Sequence, residues 1–113
     1  QLNNTLALAA ESVGCALGVG SIRAALEQES VRDSFLIARE KAPTTVLLAN
    51  IGLAQIKTAQ LMEQAARFCE ALQADGLIIH LNPLQEAFQA EGEPQFKDGL
   101  AAITRYVKEF PLP

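Results

Sequence analysis

The chain has 113 residues, a length that suits one domain and is too short for two. Half of its residues are hydrophobic, so it can bury a sizeable core, and disorder over most of its length is not expected. The net charge of −4 comes without any cluster of lysine and arginine, which excludes broad binding to nucleic acid or to an anionic membrane.

No apolar run approaches the roughly 20 residues that a helix needs to cross a bilayer, and no signal-peptide pattern is present. We therefore expect a soluble, cytoplasmic protein with no membrane partner. The two cysteines, Cys15 and Cys69, have neither CxxC spacing nor a set of further metal ligands. We expect reduced structural thiols, not a disulfide or a zinc site.

The chain opens with a helical pattern that passes into a strand. Apolar residues recur at helical spacing from Leu2 to Val13, with Leu6 in the stripe, and Gly14 is placed to end this helix. Residues 15–19 then form a short apolar run without polar alternation. This run predicts a strand that is covered on both faces.

Further helices and a second strand follow. Residues 20–23 turn into a helical stretch, and Ser30 can cap another helix that fades before Ala42, because Ala42 precedes a proline. Residues 45–49 predict a second buried strand, with Asn50 at its carboxyl end.

The second half of the chain repeats this alternation. Thr58 can cap a helix, the apolar run 76–79 predicts a third strand, and a last helix ends at Pro111. The predicted apolar face of the first of these helices is Leu61, Met62, Ala65, Cys69 and Leu72, and that of the last is Phe96, Leu100, Ile103, Val107 and Phe110.

Helices that alternate strictly with buried strands predict βαβ units, a parallel sheet and right-handed crossovers. Three strands alone would leave two unpaired sheet edges, and the pattern both begins and ends with a helix. We therefore expect residues 1–113 to be one fragment of a larger α/β protein.

The stretch HLNPLQE, which follows the third predicted strand, carries the most specific functional signal. Alternation along a strand places His80 and Asn82 on one face. Pro83 cannot continue a central ladder, so the chain should leave the sheet and carry Gln85 and Glu86 into a loop. The residues alone fit either a ligand site or a hydrogen-bonded structural histidine before an ordinary Asn-Pro turn.

The other two predicted strands also end in polar or glycine-rich segments. In GVGSIR, glycines would let a phosphate approach the backbone, while Ser21 and Arg23 would add a hydroxyl and a forked cation. The third glycine of a dinucleotide fingerprint and the lysine of a Walker loop are missing, so an anion site and a tight structural turn both remain open. Asn50 has the same position after the second strand, which would suit a shared ligand face.

Several blocks of the sequence, in matching order and spacing, closely resemble the type II isopentenyl diphosphate isomerase family. That family is similar to a flavin-binding (β/α)8 barrel and interconverts isopentenyl and dimethylallyl diphosphate with FMN and Mg²⁺. The resemblance implies that the chain runs from the helix after strand one to the helix after strand four, a little under half of a barrel of about 250 residues. The matching blocks are residues 4–11, 18–23, 49–52 and 80–86, followed by Glu91-Gly92 and Phe96.

The resemblance also implies which residues hold the cofactor and the substrate. Ser21 would contact both flavin and substrate, and Ile22 and Arg23 would line the diphosphate pocket. Asn50 would hold the flavin.

The HLNPLQE motif would supply the remaining site residues. Gln85 would contact the substrate as a catalytic group, and Glu86 would ligate the Mg²⁺ that bridges to the diphosphate. His80 and Asn82 would be polar groups of the same catalytic pocket.

In that family the flavin works in its reduced form without net redox change, and NADPH is the expected reductant. The resemblance therefore implies FMN, Mg²⁺ and NADPH as cofactors and a small diphosphate as substrate. The family's other flavin-binding and phosphate-binding segments have no counterpart in these 113 residues. The chain alone is therefore expected neither to bind flavin tightly nor to catalyse.

Two other interpretations stay open. The chain could belong to another FMN-dependent barrel, such as a 2-hydroxy-acid oxidase, in which Arg23 would bind the substrate carboxylate. It could also be a non-catalytic half-barrel module that associates through its unpaired sheet edges. A homo-oligomer is expected.

Overall fold

A computed structural model describes residues 2–82 and 98–113. The helices and strands follow one another in the predicted order. The helices are α1 (Leu2–Val13), α2 (Arg23–Glu27), α3 (Asp33–Lys41), α4 (Ala59–Leu72) and α5 (Gly99–Glu109); the strands are β1 (Leu17–Ser21), β2 (Leu47–Gly52) and β3 (Gly76–His80); short 3₁₀ turns cover Glu29–Val31 and Leu53–Ile56.

The three strands form one parallel sheet in the order β1-β2-β3. Strands that are neighbours in sequence are thus neighbours in space, as in consecutive βαβ units, whose usual right-handed crossovers place the connecting helices on one face of the sheet. Burial agrees, because Leu47, Ala49 and Ile51 of β2 are fully buried while Leu48 and Asn50, which alternate with them, are partly exposed. The predicted α/β fold with a parallel sheet is confirmed, and the sheet is open.

The prediction of strands covered on both faces is wrong for the described residues. A Cβ on Gly18 would lie 3.6 Å from Ile78 Cδ1, so β1 and β3 present these residues on the same face. Gly18 is exposed and Ile78 is 39% exposed. We call this the open face; it also carries Leu48, Asn50 and His80. Buried side chains of the described helices join those of Leu47, Ala49 and Ile51 in one core, so the helices pack on the opposite face.

β1 and β2 each begin two residues later than predicted, because polar contacts occupy the residues before them. The Cys15 N–H donates to the Ala10 carbonyl over 3.1 Å, which keeps Cys15 at the end of α1 and outside the strand. The Thr45 N–H donates to the Glu11 carboxylate over 3.0 Å and is not available to the ladder. As a result, Asn50 lies within β2 and not beyond it.

Helix boundaries follow the predicted signals at most ends. Gly14 has a φ of 69° after α1, a left-handed conformation that favours glycine, and α3 ends before Ala42. The Leu61 N–H donates to Thr58 Oγ1 over 3.2 Å, which confirms the cap of α4. The prediction for Ser30 is wrong, because it lies inside a 3₁₀ turn and α3 begins only at Asp33.

The buried faces of the first and last helices differ from the predicted stripes. α1 buries Ala7 and Ala10 but exposes Leu6 and other apolar side chains, and α5 buries Tyr106 while Leu100 is exposed. The face of α4 is closer to the prediction, with Ala65, Cys69 and Leu72 buried and Leu61 and Met62 partly exposed. None of the helices in the described residues is long and apolar enough to cross a membrane.

A cluster of charged residues connects the elements at the amino end of the sheet. The guanidinium of Arg39 and the N–H of Leu47 both donate to Asp75 Oδ2, each over 2.7 Å. The Leu47 bond, and after it the Arg39 bond, hold the pKa of Asp75 below its ordinary value. Arg39 also donates to the backbone carbonyls of Ala42, Thr45 and Gln73.

Glu11 adds a second carboxylate to this end of the sheet. It accepts hydrogen bonds from the backbone N–H groups and the hydroxyls of Thr44 and Thr45. These bonds, led by the Thr44 hydroxyl, lower the pKa of Glu11. The carboxylate therefore ties α1 to the segment that enters β2.

Candidate functional site

The carboxyl ends of the three strands meet at one edge of the sheet. Ser21 of β1 is paired in register with Asn50 of β2, and Gly52 of β2 is paired with His80 of β3. The structure therefore brings together three of the residues that sequence analysis placed in one site, namely Ser21, Asn50 and His80. Their individual roles remain predictions.

Asn50 and His80 contact each other through their side chains. His80 Nδ1 lies 2.8 Å from Asn50 Oδ1. In this orientation the amide oxygen accepts from a proton on Nδ1. Asn50 thus holds the His80 ring in place through Nδ1.

Gly52 has no side chain, and this lets two polar groups come close together beside the Asn50–His80 pair. A Cβ on Gly52 would overlap Gln55 Oε1 and would lie 3.0 Å from His80 Nε2. Any side chain at this position would therefore push either the glutamine amide or the imidazole out of place. Glycine here allows both groups to approach the same point above the backbone.

Gln55 is a site residue that sequence analysis missed. It lies in the 3₁₀ turn directly after β2, it is only 8% exposed, and its Nε2 is buried without a hydrogen-bond partner in the described residues. The sequence did contain one signal for Gln55, namely a single polar residue inside the otherwise apolar turn Leu53–Ile56. Apolar residues alone would have satisfied the packing there.

Ser21 and Arg23 are held by local contacts. The ladder between β1 and β2 is irregular between Gly18 and Ser21, and the Arg23 N–H donates to the Ser21 hydroxyl over 3.4 Å. Arg23 Nε donates to the Glu27 carboxylate one helical turn later, over 2.7 Å. A Cβ on Gly20 would meet no atom within 4 Å, so the turn faces open space.

Ile22 lies in the core with its side chain fully buried. Its N–H donates to the Asn50 carbonyl over 2.8 Å. The β-branched apolar side chain packs under the turn and anchors it. The implied place of Ile22 in the lining of a diphosphate pocket stays a prediction.

The remaining predicted residues lie at the end of β3 or beyond it. Asn82 is exposed two residues after the strand. Gln85 and Glu86 are outside the described residues, as is Phe96. Within residues 2–82 and 98–113, no group of three or more His, Cys, Asp or Glu residues is arranged to hold a metal ion.

Comparison with known proteins gives relatives but no family model that matches. The isopentenyl-diphosphate delta-isomerase of Chlorobium phaeovibrioides is 50% identical over 107 residues, which cover 92% of this chain and 30% of the relative. The Cronobacter sakazakii protein of that name is 47% identical over 112 residues, 99% of this chain and 32% of the relative.

A third relative carries the same name. The Archaeoglobus fulgidus isopentenyl-diphosphate delta-isomerase is 42% identical over 113 residues, 100% of this chain and 31% of the relative. The chain therefore spans about a third of the length of the curated relatives it matches.

Proposed function

We propose that the chain is part of a type II isopentenyl-diphosphate delta-isomerase, which uses FMN, Mg²⁺ and NADPH to convert isopentenyl diphosphate to dimethylallyl diphosphate. The observation that carries this proposal is the identity of 42–50% over 92–100% of the chain with relatives of that name. The geometry supports it, because Ser21, Asn50 and His80 meet at one edge of the sheet.

In this proposal β1 to β3 are strands two to four of a (β/α)8 barrel. Sequential strand order and helices on a single face are what an arc of such a barrel requires, whereas a doubly wound sheet reverses its strand order and has helices on both faces. The open face would be the barrel interior. The edge with Asn50 and His80 would be the catalytic end, since active sites of these barrels lie at the carboxyl ends of the strands.

The residues at this edge fit a flavin ring. The isoalloxazine ring of the oxidised flavin is planar, and its carbonyl edge carries no charge. A site for it therefore needs a flat surface and uncharged groups that hydrogen-bond to that edge. Asn50 and Gln55 offer uncharged amides and His80 an imidazole at this edge, and Gly52 lets the Gln55 amide and the His80 ring come close together over the backbone. When bound and reduced, the flavin supplies a group that can give and take a proton.

The chain's own residues then bind and orient the substrate. Arg23 would pair with the diphosphate, and Glu27 holds its guanidinium through Nε. Glu86 would ligate Mg²⁺, a cation that prefers hard carboxylate and phosphate oxygens. His80, held by Asn50, would be a polar group of the catalytic pocket.

The test uses the intact protein, by which we mean the full natural gene product that contains these 113 residues. With FMN, NADPH and Mg²⁺ it should convert isopentenyl to dimethylallyl diphosphate. Glu86→Gln removes the proposed metal ligand and should lower kcat/KM at least about 100-fold. Product formation is measured by chromatography while the Mg²⁺ concentration is varied.

Glu70→Gln is the matched control, because it makes the same change on the exposed face of α4. It should leave turnover and its Mg²⁺ dependence unchanged. If the wild type oxidises a 2-hydroxy acid and ignores both diphosphates, the proposal is wrong. Equal loss of activity in the two variants would contradict the role of Glu86.

A further inference from the structure

We infer that Gln55 is a further cofactor-binding residue, whose buried carboxamide donates a hydrogen bond to a carbonyl or ring-nitrogen acceptor at the edge of the bound flavin. This inference rests on the proposed function. It concerns a residue to which sequence analysis assigned no role.

The first argument is the environment of the side chain. Every residue of the turn Leu53–Ile56 is buried, and Gln55 is the polar member among three apolar ones. Its Nε2 has no acceptor among the described residues. A buried amide donor without a partner is unfavourable, and Met would occupy a similar volume without that penalty. Packing therefore does not explain a glutamine at this position.

The second argument is the direction of the amide. Gln55 Oε1 lies over Gly52, where a Cβ would overlap it, and His80 Nε2 is 3.0 Å from the same Cβ position. The terminal amide therefore reaches toward the carboxyl ends of β2 and β3. Because the oxygen and nitrogen of an amide exchange places by a 180° rotation, either can be presented to this point.

The third argument is the chemistry of the group. A carboxamide is neutral and offers a donor beside an acceptor, which matches the alternating carbonyl and N–H groups along a flavin edge. A diphosphate would instead be bound by a cation such as Arg23, because a neutral amide in a buried site compensates an anion poorly. The flavin edge is therefore the favoured ligand.

The experiment compares Gln55→Met with Gln60→Met in the intact protein after removal of flavin. Gln60 is an exposed glutamine in the first turn of α4, so it controls for the chemical change. FMN affinity is measured by quenching of FMN fluorescence, and the thermal midpoint of the apoprotein is recorded separately. Gln55→Met should weaken FMN binding roughly fivefold or more while the apoprotein midpoint stays equal or rises. Gln60→Met should change neither quantity.

A purely structural glutamine would give another pattern. If the wild type binds FMN and Gln55→Met binds it equally well, the inference is wrong while the proposed function stands. If the wild type binds no FMN, the proposed function and the inference both fail.

If Gln55→Met lowers the thermal midpoint of the apoprotein, its weaker FMN binding could come from a damaged fold. In that case a second variant, Gln55→Glu, is measured in the same FMN titration. It keeps the shape of the side chain and removes the donor, so FMN affinity should fall at least tenfold at neutral pH. Unchanged affinity in Gln55→Glu would overturn the inference.

Discussion

The two ends of the sheet differ in how completely their polar groups are paired. We call the end where the strands begin the amino edge and the end where they finish the carboxyl edge. At the amino edge, Arg39 donates to several backbone carbonyls and to Asp75, and Glu11 accepts hydrogen bonds from the backbone N–H groups and the hydroxyls of two threonines. At the carboxyl edge, the Nε2 of Gln55 is buried without a partner in the described residues, and the Gln55 amide and the His80 ring crowd over Gly52. The first edge gains stability from its pairs, and the second holds a buried donor that a ligand can satisfy.

Because the polar groups of the amino edge are paired with one another, we expect substitutions there to lower the free energy of unfolding most. Arg39→Leu would remove the donor that several backbone carbonyls share and would leave the Asp75 carboxylate with the Leu47 N–H as its remaining described donor. We expect the free energy of unfolding of the intact protein to fall by about 3 kcal/mol, measured by urea denaturation.

Arg67→Leu is the control for Arg39→Leu. The side chain of Arg67 is 76% exposed and pairs with Glu63, whereas that of Arg39 is 16% exposed. An exposed pair contributes less than about 1 kcal/mol, so this variant should stay near the wild type. Equal losses in both variants would show that the buried position of Arg39 does not matter.

At the carboxyl edge, Gly52→Ala sharpens the comparison by placing a Cβ where Gln55 and His80 approach each other. The added Cβ would overlap Gln55 and approach His80, so we expect a loss of about 2 kcal/mol in stability and weaker FMN binding. Urea denaturation and FMN titration of the intact protein measure the two effects.

Gly20→Ala is the matched variant for stability. A Cβ there meets no atom within 4 Å, and Gly20 does not have a positive φ, so the free energy of unfolding should change little. If Gly52→Ala changes stability and FMN binding as little as Gly20→Ala does, the close approach of Gln55 and His80 does not require Gly52.

The smallest expected effect is the pH dependence of the amino edge. Hydrogen bonds hold the pKa values of Glu11 and Asp75 below their ordinary values in the folded protein. The unfolded chain therefore takes up protons first as the pH falls, and the stability from both carboxylates is complete above about pH 5 and decreases below it.

Asp75→Asn tests this dependence, because it keeps an acceptor for the Leu47 N–H but cannot titrate. Its stability should be lower than that of the wild type at pH 7 and should fall less steeply between about pH 5 and pH 3. An identical slope in wild type and variant would mean that Asp75 does not contribute. Both slopes come from thermal unfolding of the intact protein.

The sequence predicted the order of elements and the parallel sheet well. Short apolar runs typical of strands alternate along the chain with segments whose apolar residues recur at helical spacing. It placed the starts of β1 and β2 too early, since Cys15 and Thr45 read as strand residues. Their N–H groups in fact bond to Ala10 and Glu11, contacts that no local pattern reveals.

The candidate site was predictable in part, and for physical reasons. Ser21, Asn50 and His80 lie in the last residues of their strands, and parallel strands bring their carboxyl ends to one edge. Gln55 was missed because its importance depends on its burial and on its position over Gly52, and both are tertiary features. For Ile22, the motif could not show that the side chain is buried, because a position within a motif does not show which way the side chain points.

The visible absorption spectrum of the purified intact protein, followed by titration with FMN, tests the central claim most directly. A flavoenzyme isomerase should either be yellow with bound FMN or take up one FMN per chain and shift its absorption bands. A colourless protein that binds no added FMN, oxidised or reduced, would contradict the assignment of the carboxyl edge as a flavin site.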